Sequence, residues 1–96
     1  MNFEFAPAKS AANKEKHGID FVAAQALWQD VDRIDFPVIC TMEPRNIMLA
    51  MLKGKLWAAI YTMRGANVRL ISVRRARDNE KEMYEQAQEE NNGEGI

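Results

Sequence analysis

The sequence is poor in cysteine and histidine, the residues from which disulfides and most metal sites are built. Its 96 residues include one cysteine, Cys40, and one histidine, His17. An internal disulfide and a cysteine-based zinc site are therefore excluded, and a protein-only transition-metal site fits poorly. No apolar run approaches the roughly 18 residues of a membrane-spanning helix, and the first residues lack a basic and apolar signal segment. We expect a cytoplasmic protein without metal or cofactor and with no membrane partner.

Net charge is small but unevenly distributed. The formal charge of −1 argues by itself against a nucleic-acid-binding protein. Residues 1–79, however, hold 12 Lys and Arg against 8 Asp and Glu, whereas residues 80–96 hold one Lys against six Glu. The densest basic stretch runs from Arg64 to Arg77 without an acidic residue. A cationic body of this kind suits a polyanionic partner, although a solvated surface with a solubilising tail explains the same pattern.

The hydropathy pattern indicates one domain, which we assign to residues 1–90, with residues 91–96 as a flexible tail. Alternating apolar residues predict strands at residues 2–5, 33–38, 46–52, 56–63 and 68–74. Helical spacing and capping residues predict helices at residues 9–17, 21–30 and 79–90. Pro7 suits the first turn of the first helix, Gly18 its left-handed end, and Asp20 the cap of the second.

The element order β-α-α-β-β-β-β-α predicts an α+β fold. We expect an antiparallel meander sheet with the helices packed mainly on one face. Pro37 indicates that the second strand lies at an edge of the sheet or ends there, and Lys53-Gly54-Lys55 marks a hairpin turn. A sheet face that points away from the helices and carries Arg and Ser side chains would suit an anion cleft.

Four short motifs follow one another along the chain. They are F-A-P-A-K at residues 5–9 with Asn13, K-H-G-I at 16–19 and Phe21; E-P-R at 43–45; Y-T-M-R at 61–64; and R-L-I-S-V-R-R-A at 69–76 with Glu80 and Tyr84. In this order they resemble the BrnT toxin family over about residues 2–86. The family usually has an acidic residue where Ala6 stands, and often a glycine where Ala50 stands.

The resemblance implies a RelE-like fold and a metal-independent endoribonuclease toxin that cleaves RNA and inhibits translation. It also implies a BrnA-like antitoxin with a ribbon-helix-helix part, encoded beside the toxin as in type II toxin–antitoxin systems. The toxin would meet operator DNA only through that antitoxin, and the complex would repress its own operon. The sequence does not decide whether two copies of the chain form a homodimer.

Metal-independent RNA cleavage needs three kinds of group. A base or positioning group assists the attacking 2′-hydroxyl, cations stabilise the charged phosphorane, and an acid protonates the leaving 5′-oxygen. Histidine suits proton transfer near neutral pH, but a structural role for His17 at its helix end is at least as well supported. Lys9, Asn13 and Lys16 line one helix face, which could hold a phosphate or simply be solvated. We predict His17, Lys16, Arg64 and Arg74 as catalytic residues.

A second group of residues is predicted to bind RNA or its phosphates: Lys9, Arg45, Arg69, Ser72, Arg75 and Tyr61. An arginine guanidinium can donate two parallel hydrogen bonds to two oxygens of one phosphate. A serine hydroxyl can donate to phosphate, and a tyrosine ring can stack on a base. Glu43 could act as a base or hold Arg45, and we favour the second role, because a carboxylate beside phosphates is repelled unless an arginine neutralises it. We expect the guanidinium groups to converge on one concavity beside His17 or Lys16.

Two other functions remain open from the sequence. A non-catalytic module that only binds a ribbon-helix-helix partner is favoured by the missing acid at Ala6. A plain RNA-binding domain without a partner is favoured by the basic stretch alone, and would show a steep salt dependence.

Overall fold

The computed structural model describes residues 2–39 and 43–94, with side chains described as far as residue 90. The strands are β1 (Asn2–Glu4), β2 (Ile34–Val38), β3 (Arg45–Leu52), β4 (Lys55–Arg64) and β5 (Asn67–Arg75). The helices are α1 (Pro7–His17), α2 (Phe21–Ala24), which continues as a 3₁₀ turn Gln25–Gln29, and α3 (Asp78–Glu94). Cys40 and the last two residues of the predicted tail lie outside the described residues.

The five strands form one mixed sheet in the order β1-β5-β4-β3-β2. Strands β2 to β5 pair antiparallel with their sequence neighbours, but β1 runs parallel to β5, with Asn2 opposite Asn67. The α+β class is confirmed, while the prediction of a wholly antiparallel sheet is wrong at this edge. Turn motifs in the sequence predict pairing only between strands that follow one another along the chain. Strand β1 pairs instead with the last strand of the chain. The RelE-like architecture stays a prediction.

Local signals at the helix ends act as predicted. Gly18 takes a left-handed conformation, with φ of 83°, and its N–H donates to the carbonyl of Lys14, which ends α1. The Asp20 carboxylate accepts from the backbone N–H of Ala23 at 2.8 Å and so caps α2. Helix α3 continues to Glu94, beyond the end predicted at residue 90.

The main core lies between one face of the sheet and the segment that includes α2 and the 3₁₀ turn. Phe21, Ala24 and Leu27 are buried there against sheet residues such as Val68 and Val73.

Because side chains alternate along β5, Arg74 points to the opposite face from Val73, and there it pairs with Glu80 in the first turn of α3. The prediction that the helices pack mainly on one face therefore fails for α3. Within the described residues, no helix is both long and apolar enough to cross a membrane.

Candidate active-site groove

Helix α1 is fixed to the outer edge of β5 by a buried asparagine. Strand β1 pairs with residues 67–69 of β5, so none of the described strands pairs with that edge beyond Arg69. Asn13 takes that place: its Nδ2 donates to the carbonyl of Val73 at 2.9 Å, and its Oδ1 accepts from the N–H of Val73 at 3.1 Å. Nδ2 also donates to the carbonyl of Ile19 at 2.8 Å. Asn13 is therefore an anchor and is not free to bind phosphate on an open helix face.

A groove of about 200 Å³ lies between α1 and this edge of β5. Four residues predicted for the site line it: Lys9, Lys16 and His17 from α1, and Ser72 from β5. A register shift between β4 and β5 at Ile60 and Tyr61 interrupts the ladder beside Ser72, and a bulge of this kind re-aims neighbouring side chains. We call this cavity the α1–β5 groove.

The electrostatics of the α1–β5 groove favour an anion. Lys9 and Lys16 are exposed, while His17 and Ser72 are half-buried. Of the described residues that line the groove, none is acidic. His17 can also interact with the carbonyl end of α1, where a cation is favoured by the helix dipole. Among residues 2–39 and 43–94, no three His, Cys, Asp or Glu side chains gather in a way that could hold a metal ion.

Arg74 lies elsewhere, in an ion pair that joins β5 to α3. Its Nη1 and Nη2 donate to the two carboxylate oxygens of Glu80 at 2.8 and 3.0 Å. Glu80, which is 5% exposed, also accepts from the backbone N–H of Arg77 at 2.8 Å, as the glutamate of a capping box does. The bond from Arg74 holds the pKa of Glu80 below its ordinary value. Both terminal nitrogens of the Arg74 guanidinium are hydrogen-bonded to Glu80, so the predicted catalytic role of Arg74 conflicts with its position.

Arg64 and Arg69 converge on a carboxylate that the sequence did not single out. Arg64 Nε lies 3.8 Å and Arg69 Nη1 3.5 Å from Glu4 Oε1. The parallel pairing of β1 with β5 places Glu4 opposite Arg69, and this pairing carries no local signal in the sequence. The Arg64 side chain is 57% exposed, so it remains open to a further anion.

The other two predicted arginines also have neighbours of their own. Arg45 Nη2 lies 3.9 Å from Glu43 Oε1, which confirms that Glu43 holds Arg45. The Arg75 guanidinium lies over the Trp57 ring, 5.5 Å from its centroid, an arrangement that favours a cation. The expectation that the guanidinium groups share one concavity beside His17 is therefore wrong, and the cations in the groove are lysines.

Tyr61 belongs to the core. Its side chain is buried, its ring packs edge-on against Trp28 at 5.5 Å, and its hydroxyl donates to Asp35 Oδ2 at 2.7 Å. Burial, followed by that hydrogen bond, raises the pKa of Tyr61 well above its ordinary value. The ring is not accessible for stacking on a base, contrary to the prediction.

Comparison with known proteins adds an independent finding. Residues 5–80 match the family model described as ribonuclease toxin, BrnT, of type II toxin-antitoxin system. The matched region runs from the residue after β1 into the first turn of α3, so it contains both walls of the α1–β5 groove. No curated protein matches the chain.

Proposed function

Because the chain belongs to the BrnT family of ribonuclease toxins of type II toxin–antitoxin systems, we propose that it is an endoribonuclease whose active site is the α1–β5 groove. The observation that carries this proposal is the meeting of His17, Lys9, Lys16 and Ser72 around one small cavity. These side chains come from helix α1 and the edge of β5, both within the matched region.

The reaction that fits these groups is attack of a ribose 2′-hydroxyl on the adjacent phosphorus. The 2′-oxygen bonds to phosphorus, the bond to the 5′-oxygen breaks, and the products are a 2′,3′-cyclic phosphate and a 5′-hydroxyl. One proton leaves the 2′-oxygen and one joins the 5′-oxygen. His17 is the residue that we assign to proton transfer. Lys16 and Lys9 stabilise the charge on the phosphorane, and the Ser72 hydroxyl donates to a phosphate oxygen.

We propose that this cleavage is independent of metal ions. The lining of the groove offers ammonium, imidazole and hydroxyl groups, whereas magnesium in phosphoryl-transfer sites is bound through carboxylates. Arg64 and Arg69 have a different role in this proposal. At the edge where β1 pairs with β5, they contact phosphates of the bound RNA that lie away from the cleaved bond.

Membership of a type II toxin family implies a protein antitoxin as partner. We propose a BrnA-like protein with a ribbon-helix-helix part, which neutralises the toxin in the cytoplasm and represses the shared operon. A second candidate function is a partner-binding module without catalysis. It is favoured by the scatter of the five predicted arginines, four of which lie against a carboxylate.

The test is cleavage of RNA by the purified chain in EDTA, with the product ends determined. We expect wild type to cleave and His17→Gln to lose about 10²- to 10⁴-fold in kcat, the usual contribution of one proton-transfer group. Lys16→Gln should also be slower, while Lys81→Gln, an equal charge loss on α3, should match wild type. Intact RNA with wild type, together with a co-purified small partner, would favour the second candidate. Full activity in His17→Gln would remove the groove from the mechanism.

A further inference from the structure

A second cavity, of about 280 Å³, lies at the same end of α1. Three exposed lysines line it, Lys14 from α1 and Lys53 and Lys55 from the hairpin between β3 and β4. Its apolar lining includes Ile19 and Trp57, both buried. We call this cavity the lysine pocket.

The hairpin places a lysine where the backbone disfavours one. Lys53 has φ of 52° and Gly54 φ of 76°, which is the pattern of a two-residue type I′ turn. The first central position of such a turn favours Asn, Asp or Gly, because positive φ crowds a larger side chain. Strained backbone of this kind is often retained where a side chain has a function. Lys53 and Lys55, on either side of Gly54, both line the lysine pocket.

The composition of the lysine pocket specifies the chemistry of its ligand. None of the described residues that line it is acidic, and the Arg75 guanidinium over Trp57 adds a further positive charge beside it. A ligand should therefore combine negative charge with an apolar part. Ligand pockets for drug-sized molecules occupy roughly 300 to 1,000 Å³, so a cavity of about 280 Å³ suits a smaller molecule, such as one nucleotide.

The position of the lysine pocket connects it to the α1–β5 groove. Consecutive residues at the end of α1 line the two cavities: His17 lines the groove and Gly18 lines the lysine pocket. The two cavities are therefore neighbours at this helix end.

We propose that the lysine pocket binds a nucleotide of the substrate RNA next to the cleaved bond. Lys14, Lys53 and Lys55 hold its phosphate, and its base lies against the more accessible apolar lining formed by Ala23 and Leu52. This inference rests on the proposed function of the α1–β5 groove and adds to it a subsite that selects a single-stranded segment, since only an unpaired base can enter the pocket.

The experiment measures binding of a 2′-O-methyl RNA hexanucleotide, which lacks the attacking hydroxyl and stays intact. Its Kd is determined at several salt concentrations for wild type, Lys14→Gln, Lys55→Gln and the control Lys81→Gln. Each pocket variant should weaken binding about 3- to 10-fold and flatten the slope of log Kd against log salt by up to about 0.7, the value for one neutralised phosphate on a single strand. The control, with the same charge loss, should change neither beyond error.

A neutral variant separates the cavity from the charge. Ala23→Phe adds a ring to a residue that lines the pocket and should weaken binding without changing the salt slope. Circular dichroism and thermal unfolding confirm that each variant is folded.

Several results would overturn the inference. One is that the pocket variants and Lys81→Gln have the same Kd and the same salt slope. Another is that AMP binds as tightly as the hexanucleotide, because this would indicate a site for free nucleotides. Competition by hexaglutamate as strong as that by RNA would indicate a peptide site instead. If wild type cleaves RNA but the pocket variants bind normally, only this inference fails. If wild type neither binds nor cleaves RNA, the proposed function fails with it.

Discussion

Replacing Asn13 by alanine should detach α1 from the sheet and disturb the α1–β5 groove at the same time. The Asn13 side chain makes three buried hydrogen bonds, two with the backbone of Val73 and one with the carbonyl of Ile19. Alanine cannot make them, and no strand lies nearby to replace them, because β1 ends before this part of β5. Lys16 and His17 lie within four residues of the anchor, so their positions depend on it.

The size of the effect follows from the groups left without partners. A buried donor or acceptor that loses its partner costs about 1–3 kcal/mol, and this change leaves three such groups. Asn13 itself lines the α1–β5 groove, from which water can enter the space that its side chain vacates. We therefore take the lower end, about 3 kcal/mol in the free energy of unfolding. A chain of this length has a total stability of roughly 5–14 kcal/mol, so the loss is large. It corresponds to a fall in Tm of about 12–24 °C.

The assay is urea unfolding followed by circular dichroism, with Asn79→Ala, a change at an exposed position in α3, as the control. Asn13→Ala should lower the midpoint with little change in the m-value, and RNA cleavage should fall at temperatures where the variant is still folded. A loss of less than about 1 kcal/mol, with cleavage unchanged, would refute the anchoring role.

Three further predictions test the contacts around the sheet. Glu80→Gln should cost about 3 kcal/mol because it leaves the largely buried Arg74 guanidinium without its carboxylate; Arg74 and Glu80 side chains are 19% and 7% exposed. The fold lowers the pKa of Glu80, so its stabilisation is complete above the ordinary pKa and is lost as pH falls through the folded value. The unfolding difference between wild type and Glu80→Gln should therefore shrink in acid below about pH 4, and a constant difference would contradict the assignment. Tyr84→Phe, which removes the 2.7 Å bond to Asp30, should cost about 1 kcal/mol and speed amide exchange in α3; unchanged exchange would count against that contact. Tyr61→Phe should lose about 1 kcal/mol of stability with the same RNA affinity, since its ring is buried, and a weaker affinity would restore the stacking role.

The sequence by itself determined the elements whose signals are local. Gly18 ends α1 because the left-handed conformation is free of steric cost for glycine, and Asp20 caps α2 through a residue three positions away. The turn at Lys53 and Gly54 joins two strands that are neighbours in the chain. The order of the four motifs indicated the toxin family, and the family match confirms it.

The tertiary structure alone decided which distant residues meet. The pairing of β1 with β5 brings Glu4 to Arg64 and Arg69, and the packing of α3 brings Glu80 to Arg74. In the sequence these arginines form one basic stretch. In the fold Arg69 and Arg74, whose side chains are 30% and 19% exposed, each lie against a carboxylate, because a largely buried guanidinium is costly without one.

The two cavities are also a result of packing. The α1–β5 groove exists because Asn13 holds a helix against a strand edge sixty residues away in sequence. The chain order could place Lys9, Lys16 and His17 on one helix, but it could not show that Ser72 lies across from them. Which residues share a cavity depends on contacts between distant segments, and spacing along the chain carries no record of those contacts.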